Sequence, residues 1–144
     1  MTQLLYDTDF YQWTVAQASL LRNEEYADLD RHNLIEEIES MGASERRELD
    51  SRLTTIMLHL LKITNEPNSS AVRGWKTTIL TQRTDLRKVL RNNATLRGAV
   101  ANFVDDAYQD AQLLAADALQ IEHINLPPEC PWTAEQLLDL NWLP

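Results

Sequence analysis

Seven side chains have the types and spacing from which a polar site could be assembled: Glu37, Glu39, Arg46, His59, Arg73, Trp75 and Arg83. Two carboxylates close together, with an imidazole further along, are donor types of a mixed carboxylate–imidazole metal or hydrolytic site. The cationic members raise a different requirement. An arginine at the edge of an apolar stripe must find acceptors, because a guanidinium withdrawn from water without partners is costly. Arg83 is the residue on which that requirement bears hardest. The same side chains also make sense as an ion-pair network that fixes helix register, since partly buried charges persist when they are paired.

Other chemistry has less support. His32, His59 and His123 lie in three separate segments, and the Glu-x-x-His pair that bundle di-iron sites need twice is absent from the sequence. Gly42, Gly74 and Gly98 are isolated, so there is no glycine-rich phosphate loop. Cys130 sits between Glu129 and Pro131, where packing is the simpler role for it than a thiolate nucleophile. One cysteine allows neither an internal disulfide nor a cysteine-only zinc site, and it suits a reducing compartment. No catalytic residue, metal ligand or cofactor is assigned on these grounds.

Charge is unevenly distributed. The chain of 144 residues has a formal charge of -9. Between Val72 and Arg97, however, Arg73, Lys76, Arg83, Arg87, Lys88, Arg91 and Arg97 face Asp85 alone, giving +6 there and -15 elsewhere. Arg73, Trp75, Lys76, Arg83, Arg87 and Arg91 combine cations with an aromatic, as phosphate contacts require. A nucleic-acid-binding module using the basic helix 72–97 is therefore one alternative, and the acidic remainder weighs against it. The start, MTQLLYDTDF, has no basic region followed by an apolar core. No apolar run approaches the ~20 residues needed to span a bilayer. A cytoplasmic protein without membrane contact is expected.

The elements that must position these residues are helical. Few glycines and prolines and long stretches of 3.6-residue period predict an all-α fold. The strongest pattern runs from Leu29 to Thr64. Leu34, Ile35, Ile38 and Met41 share one face, and Leu49, Leu53, Ile56, Met57, Leu60 and Ile63 form another. Gly42-Ala43 reads as a tight turn and Ser44 as the next N-cap, which predicts a hairpin of two antiparallel helices. Glu37 and Glu39 would then approach Arg46 and Arg52.

Before the hairpin, Asp7 or Thr8 is placed to cap a helix reaching about Asn23, with Phe10, Trp13, Leu20 and Leu21 inward and Tyr6 as a staple. After it, NEPNSS at Asn65 to Ser70 is a loop. A helix is predicted over Val72–Asn92. Another is predicted from about Thr95 to Leu119, with Leu96, Val100, Phe103, Ala107, Ala111, Leu114 and Ala118 inward. Its flanking Asp106, Asp110 and Asp117 could oppose Lys76, Arg83 and Arg87. A short helix near Thr133 to Leu140 and the side chains of Trp132, Leu137, Leu138 and Trp142 should pack back over the rest. The expected architecture is an all-α helical bundle of four to five main helices with a short C-terminal helix. It would form one domain over 1–144, with the tail 120–144 packed on the bundle.

In order along the chain stand DTDFYQWT at Asp7–Thr14, NLIEEIESMG at Asn33–Gly42, SERRELDSRL at Ser44–Leu53 and HLLK at His59–Lys62. They are followed by RGW at Arg73–Trp75 with Arg83 downstream, AYQDA at Ala107–Ala111 and CPW at Cys130–Trp132. This combination resembles the bacterial family described as domain of unknown function number twenty-nine. The resemblance implies a compact helical bundle and carries no activity, substrate, cofactor or functional residue with it. The expected function is a protein-interaction module or small accessory protein that binds a protein partner or a second copy of itself. The alternatives are nucleic-acid binding through 72–97 and a metal-binding or hydrolytic bundle using Glu37, Glu39 and His59.

Overall fold

The structure, a computed structural model, describes residues 2–144. Among the described residues the chain forms seven α-helices and no strand. Helices α1 (Thr2–Thr8) and α2 (Phe10–Arg22) replace the single first helix that the sequence predicts. Asp9 interrupts them. Its non-helical backbone leaves the carboxylate placed to accept from the Gln12 N–H at 3.0 Å, so the cap lies later than Asp7 or Thr8. A 3-10 turn at Tyr26–Asp28 leads to α3 (Arg31–Asn65).

The hairpin predicted between residues 29 and 64 does not form. Helix α3 is one uninterrupted element of 35 residues, and Gly42, Ala43 and Ser44 lie inside it. A glycine in a helix interior costs about 1 kcal/mol relative to alanine. That is too little to break a helix flanked by good formers such as Glu45, Arg46, Arg47, Glu48 and Leu49. Gly42 also lacks the positive φ that a helix-ending turn would need.

The chain divides into two compact units, residues 1–44 and 45–144, and α3 contributes to both. In the first unit Trp13 is the only buried apolar side chain among the described residues. Its indole N–H donates to Asp30 Oδ2 at 2.9 Å, and the Asn33 amide donates to the same oxygen at 2.8 Å. The Asp30 N–H in turn donates to Gln17 Oε1 at 2.8 Å. Tyr6 and Phe10 pack their rings against Trp13 at centroid distances of 4.9 and 5.5 Å.

The second unit has an extended apolar core. Leu49, Leu53, Ile56, Met57, Leu60, Leu61 and Ile63 from α3 are buried there, as their spacing predicts. They pack with Ile79, Leu86 and Leu90 of α4 (Val72–Asn92), whose bounds match those expected. The next predicted helix is divided at Val100 into α5 (Ala94–Ala99) and α6 (Ala101–Leu119). Its buried face is Val104, Ala107, Tyr108, Ala111, Ala115 and Ala116. Leu114, expected inward, is 50% exposed, because the true period places alanines on the inner face at the end of α6. Helix α7 (Ala134–Leu138) buries Leu137 and begins with a capping box between Thr133 and Gln136. With Trp132 and Trp142 against the core, the tail packs on this unit.

The chain is therefore all-α. Four of its helices are long, a short one stands near the C-terminus, and the bundle core lies in the second unit.

Candidate interaction surface

Glu37 and Glu39 belong to the first unit, and Arg46, His59, Arg73, Trp75 and Arg83 belong to the second. Because α3 does not reverse at Gly42, the fold-back that was to carry the carboxylates toward Arg46 and His59 is absent. Glu37 instead accepts a 2.6 Å hydrogen bond from the Tyr6 hydroxyl. That bond, reinforced by burial and by the charges of Glu37, Glu36 and Asp7, pushes the phenol up to about 12. Glu39 and Arg46 are exposed. Arg52 pairs with Glu48 at 3.0 Å and Asp85 at 3.4 Å, acceptors other than those expected.

His59 is half-buried, and its Nδ1 lies 2.8 Å from the Thr55 carbonyl. Burial lowers its pKa more than that bond raises it, so the neutral ring donating from Nδ1 is favoured. Trp75 lies under Lys62, whose ammonium is 5.7 Å from the ring centroid. Arg73 is exposed. Among the described residues no three His, Cys, Asp or Glu side chains come together as a metal ion requires.

Arg83 meets its requirement for acceptors, though not through carboxylates. It is 2% exposed, and its Nε, Nη1 and Nη2 donate to the carbonyls of Leu137, Trp142 and Gln136 at 2.8, 2.7 and 3.0 Å. These are carbonyls at and beyond the end of α7, which have no partners within so short a helix. Burial lowers the guanidinium pKa and Asp139 opposes that effect, yet an arginine stays charged throughout. Arg83 therefore clasps the tail to α4.

Among the described residues no ion pair joins the acidic row of α6 to Lys76, Arg83 or Arg87. Burial raises the pKa of Asp50 on α3, and the charges of Asp110 and Asp106 raise it further. Asp50 and Asp110 line a cavity of about 440 Å³ together with Thr54 and Leu114. Cys130 is half-buried, its thiol 3.4 Å from the Trp132 carbonyl and 3.7 Å from Met57 Sδ. Burial raises its pKa, which suits packing and not nucleophilic attack.

The feature that residue types failed to announce is on α3. Ile35, Ile38 and Met41 share about a third of the helix circumference and are 45%, 65% and 67% exposed. The sequence marks them as a helical face but assigns that face to the core. Glu37 and Glu39 flank it on its two sides. Nearby in sequence, Phe10, Tyr11, Val15, Leu21 and Tyr26 of the same unit are also exposed.

A family model described as "Domain of unknown function DUF29" matches residues 5–143. The chain belongs to this family. The match takes in both units of this DUF29 protein, so the first unit is as much a part of the family's domain as the apolar core. No curated protein and no solved structure matches the chain. No helix among the described residues of the DUF29 chain is long and apolar enough to cross a membrane.

Proposed function

We propose that this DUF29 protein is a bacterial, cytoplasmic protein-interaction module whose first unit docks a basic amphipathic helix of a partner protein. The observation that carries the proposal is the exposure of Ile35, Ile38 and Met41 along one face of α3. Three apolar side chains at i, i+3 and i+6 form the register by which helices read one another in a groove or across a face. Charge supports the choice of partner. Residues 1–44 carry nine Asp and Glu against Arg22 and Arg31, a net -7. Glu37 and Glu39 on the margins of the stripe would pair with lysines flanking an apolar ridge. A second copy of the same unit would instead bring these carboxylates against each other.

The test is a titration with a synthetic amphipathic peptide that has leucine on one face and lysine on its flanks, followed by fluorescence anisotropy at low salt. The wild-type chain should bind, and Ile38→Asp with Met41→Asp should weaken binding at least tenfold, about 1.4 kcal/mol, without loss of helical circular dichroism. Sedimentation of the chain alone should give a monomer. A dimer dispersed by the same two substitutions would replace the partner with a second copy. A monomer that ignores the peptide would end the proposal.

A further inference from the structure

We infer that the arginine-lined cavity between α4, α5 and α7 binds a small, multiply charged phosphate ester. The cavity encloses about 390 Å³ and is lined by Arg83, Arg87, Leu90, Arg91, Arg97 and Leu138. That volume is within the range of small-molecule sites. No carboxylate and no lysine lines it.

Arg83, Arg87 and Arg91 stand at i, i+4 and i+8 on α4, so they form one ridge of like charge. The separate short helix α5 brings Arg97 to the same cavity. Two other cations of this unit have carboxylate partners: Arg52 holds Glu48 and Asp85, and Lys88 holds Asp85 at 3.6 Å. Arg87, Arg91 and Arg97 have no ion pair among the described residues. Their mutual repulsion works against the fold and would be relieved by an anion placed among them.

The lining points to the ligand class. Guanidinium forks match phosphate oxygens two at a time, which a lysine ammonium cannot do. Arg83 is fixed in place by its three carbonyls, and since a guanidinium carries five N–H groups it retains donors beyond them. Leu90 and Leu138 add an apolar wall, which favours an ester with an organic body over a bare inorganic ion. A long polyanion fits less well. Outside residues 72–97 the chain carries -15, and its field repels extended nucleic acid while leaving a small ion free to enter a local cavity.

Isothermal titration calorimetry of the full chain at low salt, with adenosine 5′-diphosphate, inorganic pyrophosphate and a 20-nucleotide single strand as probes, tests this. The diphosphate ester should bind at least tenfold tighter than pyrophosphate, and the oligonucleotide should bind more weakly than either. Arg87→Ala with Arg91→Ala, and separately Arg97→Ala, should each cost at least tenfold. All three residues are exposed, so both variants should keep the wild-type circular dichroism. Arg73→Ala with Lys76→Ala removes equal charge from the same helix outside the cavity and should leave binding within twofold. Equal losses in that control would assign binding to the general field and overturn the inference. Tighter binding of the oligonucleotide, or no heat with the ester, would overturn it as well.

Discussion

Each unit has an interior built on different physics. Residues 45–144 bury nineteen apolar side chains in one cluster, whereas among the described side chains residues 1–44 bury only Trp13, with Gln17, Asp30 and Asn33 as buried polar companions. Burial of apolar area is non-directional and tolerant, at roughly 25 cal/mol per Å². A polar centre is directional, because each donor and acceptor must be met and the loss of one leaves another unpaired. The first unit thus spends few of its apolar side chains on its own interior. Phe10, Tyr11, Val15, Leu21, Tyr26, Ile35, Ile38 and Met41 are left at the surface, which suits a part whose apolar groups serve contact with another molecule.

The contrast predicts a graded response to substitution. Leu53→Ala, at a fully buried site, should cost about 2–5 kcal/mol in urea unfolding. A loss below about 1 kcal/mol would mean that the α3 stripe does not carry the core. Arg83→Met comes next, at about 2–3 kcal/mol, because carbonyls of Leu137, Gln136 and Trp142 lose their donor. Trp142 fluorescence should shift with it, and Arg83→Lys should recover less than half, since an ammonium cannot span three carbonyls in one plane. Full recovery by lysine would reduce the clasp to a matter of charge.

The smallest effect belongs to the first unit and depends on pH. Burial works to raise the Asp30 pKa, but hydrogen bonds from Asn33 and Trp13 outweigh it and the net displacement is downward. A carboxyl whose folded pKa is depressed contributes stability above its unfolded value, and that contribution fades as pH falls through the folded one. Below about pH 4 the first unit should lose about 1 kcal/mol. The Trp13 indole N–H resonance should move while those of Trp75, Trp132 and Trp142 hold. Asp30→Asn should abolish the dependence. Movement of all four tryptophan signals together would erase the distinction between the units.

Much of the second unit is legible in the sequence for a plain reason. Its helices are amphipathic, so the bounds of α4 and the buried side of α3 from Leu49 to Ile63 follow from periodicity. Two local readings failed because periodicity is silent on them. Gly42-Ala43 has turn composition, yet continuing the helix costs so little that neighbouring formers decide the outcome. Ile35, Ile38 and Met41 read as core in the sequence, because an apolar stripe does not say whether its partner is the same chain. The need of Arg83 for acceptors was evident, but their nature was not. Main-chain carbonyls leave no mark in a sequence. The sequence shows Arg87 and Arg91 one helical turn apart as well, whereas the arrival of Arg97 beside them depends on how the chain turns at Asn93 between α4 and α5.

The way the tail is gripped has a consequence for how this chain can vary. The Tyr108 hydroxyl and the Gln112 amide both donate to the Pro127 carbonyl, at 2.6 and 2.7 Å, and Arg83 takes three more carbonyls further on. Every one of these bonds ends on backbone oxygen, an atom common to all twenty amino acids. A substitution at Pro127 can therefore drift without releasing the segment it sits on, and one at Gln136 costs the α7 capping box but not the carbonyl that Arg83 holds. Arg83, Tyr108 and Gln112 grip the tail regardless of what it spells.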